Sequence, residues 1–121
     1  MEVRSFQDLI VWQKAMDLTK TVYTVVRKLP KEELFALSDQ MRRAVISIPS
    51  NIAEGQARNS TKEFLQFLGI AKGSEAELET QLLLCVKIGY LTDADIIESL
   101  QLLREVGKML NALTKSLSTD H

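Results

Sequence analysis

Apolar residues recur along this chain every three or four positions, the period of a helix with one buried face. Proline, glycine and capping residues interrupt the period at intervals that predict four helices, over about residues 6–29, 32–58, 61–88 and 93–117. In the first, Val11, Ala15, Leu18, Val22, Val25 and Leu29 form one stripe. Leu9, Trp12, Met16, Thr19, Tyr23 and Val26 form a second, about 100° away on the helix wheel. That arc is wider than one bundle seam requires, so Trp12, Met16 and Tyr23 are candidate anchors for a subunit interface. Pro30 ends the segment, with Arg27 and Lys28 suited to the negative end of the helix dipole.

The second segment starts near Lys31 to Glu33 and runs through Leu37, Met41, Ala44, Val45, Ile48 and Ile52. Pro49 lies inside it, where it removes a donor and crowds the carbonyl of Val45; a kinked helix is expected rather than two short ones. Ser47, Ser50 or Asn51 are candidates to satisfy that carbonyl locally. Ser60-Thr61-Lys62-Glu63 reads as a capping box opening the third helix, with Phe64, Phe67, Leu68, Ala71, Leu78, Leu82, Cys85 and Val86 inward. Gly69, Gly73 and Ala76 make a small-residue strip suited to close approach of a neighbouring backbone. Gly89 is a natural left-handed C-cap, and Thr92 to Asp95 resembles another N-cap. Ile96, Leu100, Leu103, Val106, Leu110 and Leu113 then stripe the fourth helix, and the tail from Ser116 to His121 is expected to fray. The fold class is therefore all-α: an antiparallel up-and-down four-helix bundle spanning residues 1–121 as a single domain.

Composition narrows the classes. With 121 residues, 45% apolar, 26% charged, five Gly and two Pro, the chain has the balance of a soluble helical domain. Met1 to Arg4 carries both charge signs, and Leu9 to Trp12 is too short an apolar run for a signal-peptide core or membrane span. A cytoplasmic protein with no membrane partner is expected. The single Cys85 reads as core filler among leucines. The one histidine, His121, is the final residue, which removes the anchored imidazole that nucleophile-base pairs and most transition-metal sites use. Neither a Glu-x-x-His pair nor a phosphate loop is present, so no metal, cofactor or catalytic residue is expected.

The polar row Gln40, Arg43, Ser47, Asn51, Glu54 and Arg58 shares one face of the second helix. Either it faces water, or it builds a buried network with Ser74, Glu77 and Gln81 of the third. We expect such a cluster, made of Ser47, Asn51, Glu54, Arg58, Ser74 and Glu77 and centred on Asn51 and Glu54. An enzyme built on Asn51, Glu54 and Arg58 in a pocket is the remote alternative.

Charge adds a gradient. Fifteen Lys and Arg face sixteen acids, for a net charge of -1, which excludes a strongly basic nucleic-acid binder. Yet the first 31 residues hold six cations against three acids, and the last 30 hold three against five. Arg42, Arg43, Arg58 and Lys62 are candidates for a local RNA-binding patch near the turn between helices two and three, against the alternative of scattered solubilising charge.

Several stretches also match a known pattern. Phe6 to Ala15, Pro30-x-x-Glu33-x-Phe35-x-Leu37, and Gln40 to Gly55 with its Ser47-x-Pro49-x-Asn51-Ile52-Ala53-Glu54-Gly55 element resemble the bacterial 23S rRNA intervening-sequence proteins. Arg58, Ser60, Glu63-Phe64, Phe67 to Leu82 and Gly89-Tyr90-Leu91 follow the same pattern, so the resemblance covers about residues 5 to 92. It implies an antiparallel four-helix bundle that assembles into a homopentamer, without an assigned enzymatic activity. Some members of that family are encoded inside 23S ribosomal RNA genes. A related accessory protein of diversity-generating retroelements shares the bundle and engages RNA through a basic surface. RNA or a ribonucleoprotein is thus an implied partner, although the net charge of -1 departs from that relative.

Overall fold

A computed structural model describes residues 5–119 of the chain. Four helices carry it: α1 Ile10–Val26, α2 Leu37–Gln56, α3 Thr61–Ile88 and α4 Asp93–Thr119. Single turns of 3-10 helix, Phe6–Asp8 and Lys31–Glu33, precede α1 and α2. Packing passes round a ring, with α1 and α3 each lying against α2 and α4. Neighbours run in opposite senses. Lys14 meets Glu105 and Lys28 meets Asp95 along α1 and α4. Met41 meets Cys85 and Ser47 meets Ser74 along α2 and α3, with Gly55 against Phe67.

The stripes read from the sequence become one core. Ala15, Leu18, Val22, Met41, Val45, Ile48, Ile52, Leu68, Leu78, Leu82, Ile96, Leu103 and Leu110 are sealed from solvent. Each such large aliphatic side chain contributes about 1.5–3 kcal/mol by leaving water, which outweighs any local preference in setting these faces.

Helix ends depart from expectation where local polar groups act. The first segment does not run unbroken from Phe6. Ser5 and Asp8 satisfy each other's amides around the 3-10 turn, and Leu9 is extended before α1 begins. At its other end α1 stops at Val26, and the amides of Lys28 and Leu29 close a turn on Val25 and Val26 ahead of Pro30. The second helix begins at Leu37, five residues later than residue 32. Ala36, at φ -122 and ψ -104, breaks the path, and the amide of Leu37 donates to the Glu33 carboxylate at 3.3 Å. Leu34 and Phe35 face water, so no buried surface rewards helix there.

From Leu37 the second helix runs through Pro49 without interruption to Gln56. Ser60 accepts from the Glu63 amide at 3.1 Å, but the Glu63 carboxylate turns to Arg58 instead of returning the bond, so the expected capping box is half made. Thr92 and Asp95 make a full one at the start of α4. Gly89 takes the left-handed conformation, φ 99, that ends α3. The fourth helix continues to Thr119 rather than fraying from Ser116. His121 lies outside the described residues.

Candidate functional site

The polar row on α2 is buried only at its middle. Ser74 of α3 donates to Ser47 Oγ at 2.7 Å, and Asn51 Nδ2 donates to the same oxygen at 2.9 Å and to the Ser47 carbonyl at 2.7 Å. This three-residue chain, half-buried, is the polar link between α2 and α3. It centres on Ser47, not on the Asn51 and Glu54 pair. Gln40, Arg43, Glu54, Arg58 and Glu77 are exposed, so both ends of the row face water. Glu54 pairs with Arg58 at 3.2 Å one turn along the helix and is not drawn into the cluster. Gln81 is buried, with its side-chain oxygen unbonded, and takes no part.

The carbonyl of Val45 loses its helical donor to Pro49. Its neighbour is not Ser47, Ser50 or Asn51 but Thr19, reaching from α1. Thr19 Oγ1 lies 2.8 Å from the Ala15 carbonyl and 3.5 Å from that of Val45. One hydroxyl has one proton, so the bond to Ala15 dominates and the approach to Val45 is a weak second contact. Thr19 is the polar member of an otherwise apolar stripe for this reason.

Close backbone approach occurs at other glycines than expected. Gly69 and Gly73 face open space, and Ala76 is exposed beside them. Gly55, the last residue of the Ser-x-Pro element, instead seats α3: an added Cβ would sit 2.8 Å from Phe67 Cβ and 3.0 Å from Phe64 Cδ1. Gly107 of α4 likewise leaves room for the Glu75 carboxylate, which burial holds above its usual range, with Glu79 adding to the effect and Lys72 opposing it.

The four candidate RNA-contacting cations do not form one patch. Arg42 lies near the start of α2 and Arg58 two residues past its end at Gln56, which leaves about 21 Å of helix between them. Arg42 donates to the Leu34 carbonyl, Arg43 pairs with Asp39, and Arg58 lies between Glu54 and Glu63 with its guanidinium 4.9 Å from the Phe67 ring centre. Lys62 alone of the four makes neither an ion pair nor a hydrogen bond among the described residues. Each of the other three is occupied within the chain, which weakens any field they present outward.

The second stripe of α1 opens as a groove beside α2. Trp12, Met16 and Thr19 line a cavity of about 360 Å³ with Ile46, Pro49 and Ala53. Met16 and Thr19 continue into a second, of about 430 Å³, with Lys20, Tyr23 and Arg27. Met16 is 46% exposed and Ile46 43%, whereas Trp12 and Tyr23 are half-buried, Trp12 set edge-on to Phe6 at 5.3 Å. Of the three expected anchors, Met16 is thus the open one.

Chemically, these features are surfaces and packing devices. Cys85 is buried against Met41, and burial together with Glu33 raises its thiol above the usual range, so it stays protonated and unreactive. Among the described residues, no three His, Cys, Asp or Glu side chains gather as a metal site. No helix among them is long and apolar enough to cross a membrane.

Such a molecule is a four-helix bundle organised around one apolar core, with an open groove along one edge. The chain belongs to the 23S rRNA-intervening sequence protein family, whose model matches residues 7–112 and so extends well into α4. It is also similar to a solved structure from Bacteroides thetaiotaomicron, described as a protein with unknown function from the S23 ribosomal protein family. Identity is 26%, the TM-score is 0.81, and the match covers 88% of this chain and 96% of that one. No curated protein matches.

Proposed function

We propose that this chain is a non-catalytic, cytoplasmic helical-bundle protein that works as a homo-oligomer, a pentamer by its family resemblance, with the α1 to α2 groove as a subunit contact. The observation that carries this is the groove itself. Met16 and Ile46 expose apolar surface beside Trp12, Pro49 and Tyr23, although the bundle core is already complete without them. Contiguous apolar surface of this kind is what a partner subunit buries. Size-exclusion chromatography with light scattering on the full chain tests it: a multimer is expected, and a monomer that persists as concentration rises would overturn it.

A second reading, an accessory factor for RNA or a ribonucleoprotein, draws support from a different set of cations than Arg42, Arg43 and Arg58. Lys20, Arg27 and Lys31 line the α1 end of the groove and its continuation, and none makes an ion pair among the described residues. Binding to structured RNA that weakens steeply with salt, and is lost when Lys20, Arg27 and Lys31 become Gln, is the expected result on this reading. Absence of any shift at low salt would end it.

A further inference from the structure

Phe35 has no place in its own chain. It is 91% exposed at the turn before α2, the most exposed large apolar side chain among the described residues. Leu34 beside it is 46% exposed. The turn is nevertheless held firmly. Its backbone closes through Leu34 N to Lys31 O and Ala36 N to Glu33 O, and Arg42 Nη2 donates to the Leu34 carbonyl at 3.2 Å. The Glu33 carboxylate accepts from the Leu37 amide and, at 2.7 Å, from the Tyr90 hydroxyl at the turn between α3 and α4. A bulky ring on a braced turn loses little conformational freedom when it is buried by a partner.

We propose that this turn is the convex counterpart of the groove, so that Phe35 of one copy inserts beside Met16 and Tyr23 of the next. The inference rests on the self-association reading and names the other half of its contact. Three observations carry it. The groove is an open, mostly apolar surface, a shallow depression of about 360 Å³ between α1 and α2 that meets, at Met16 and Thr19, a second of about 430 Å³ lined by side chains of α1 and its C-cap Arg27 alone. Phe35 projects from its own surface, so the groove it fills belongs to another molecule. Charge agrees as well: Glu32, three residues before Phe35, is exposed without an ion pair, and Lys20 and Arg27 on the lip of the groove are likewise unpaired among the described residues. The turn adjoins the groove, sharing Tyr23 and Arg27 with it through Leu34 and Lys31, and a head-to-tail repeat of the contact between Phe35 and the next copy's Met16 is the type that closes into rings of more than two subunits.

Two single variants and their mixture test this in the full chain. Phe35→Ala removes the ring from a solvated site, and Met16→Glu places a charge in the groove at a position already half-exposed; helicity by circular dichroism checks that both fold. Each alone is expected to raise the concentration needed for assembly by at least about tenfold. An equal mixture restores one intact contact, the Phe35 of the Met16→Glu chain meeting the unaltered groove of the Phe35→Ala chain, and yields a one-to-one heterodimer. Leu84→Glu, on the outward face of α3, is expected to leave assembly unchanged. If wild type assembles while Phe35→Ala has no effect and the mixture gives no heterodimer, the turn is not the counterpart and self-association stands. If Leu84→Glu abolishes assembly and Phe35→Ala does not, α3 supplies the contact and the proposal is overturned. A wild-type chain that stays monomeric removes both readings.

Discussion

The hydroxyl of Thr19 on α1 reaches toward the Val45 carbonyl of α2, the acceptor that Pro49 leaves without its helical donor. One proline inside a helix is thereby supported by a side chain 26 positions before the carbonyl it leaves free. Thr19→Val is expected to cost about 0.5–1.5 kcal/mol, from loss of the bonds to Ala15 and Val45. In a Pro49→Ala background, which restores the amide, the cost of Thr19→Val is expected to fall. Urea denaturation of the four proteins in the cycle measures the coupling, and equal costs in both backgrounds would show that Thr19 does not serve Val45.

Glycine substitutions should separate by place rather than by helix propensity. At Gly55 a methyl group would meet Phe64 and Phe67, so Gly55→Ala is expected to destabilise by about 1–3 kcal/mol. At Gly69 and Gly73 nothing lies within 4 Å, and each Ala is expected to stabilise by about 0.5–1 kcal/mol through helix propensity. Thermal unfolding of the three single variants suffices, and a stabilised Gly55→Ala would contradict the packing described.

Asn51 donates to Ser47 twice, so the replacement that keeps its shape but removes its donors is the informative one. Asn51→Asp places a carboxylate against a carbonyl and a hydroxyl oxygen. It is expected to lower stability at pH 7 by more than Asn51→Ala, itself costing about 1–2 kcal/mol. Chemical denaturation of both variants makes the comparison, with the reverse order as the adverse result.

Glu75 gives a pH dependence. Burial raises its carboxyl above the ordinary 4.5, so the folded chain holds this proton more tightly than the unfolded chain does. Stability from this group therefore falls as pH rises through the interval above 4.5, and the penalty is complete once the folded carboxyl has ionised. Glu75→Gln removes the penalty. The variant is expected to melt higher than wild type at pH 7, with the gain shrinking as pH is lowered toward 4.5; a gain that grows in acid would refute it.

Much of the fold was legible in spacing alone. The inward faces of all four helices, Gly89 as a left-handed cap and Thr92 as an N-cap are local or periodic properties, and the structure follows each. Helix boundaries followed less well. The start of α2 depends on Glu33, whose carboxylate is held by Tyr90, 57 positions away, and Glu63 abandons its capping role for Arg58. Competing partners of this kind have no signature in a short window of residues.

The candidate site divides the same way. Periodicity put Ser47, Asn51, Glu54 and Arg58 on one face of α2, because a helix wheel depends only on counting. Which of them meets Ser74 follows from where α3 crosses, and that crossing is set by Gly55 under Phe64 and Phe67. The double stripe on α1 suggested more apolar surface than one bundle needs, yet Leu9, Trp12, Tyr23 and Val26 of its second row pack on the bundle's own core. Only the packed chain showed that Met16 and Ile46 remain open, that the cations of α2 are taken by neighbouring acids and a carbonyl, and that Phe35 projects into water. A period of 3.6 residues orients side chains about their own helix, whereas exposure and pairing depend on which other helix stands opposite, and that is a property of the assembled core.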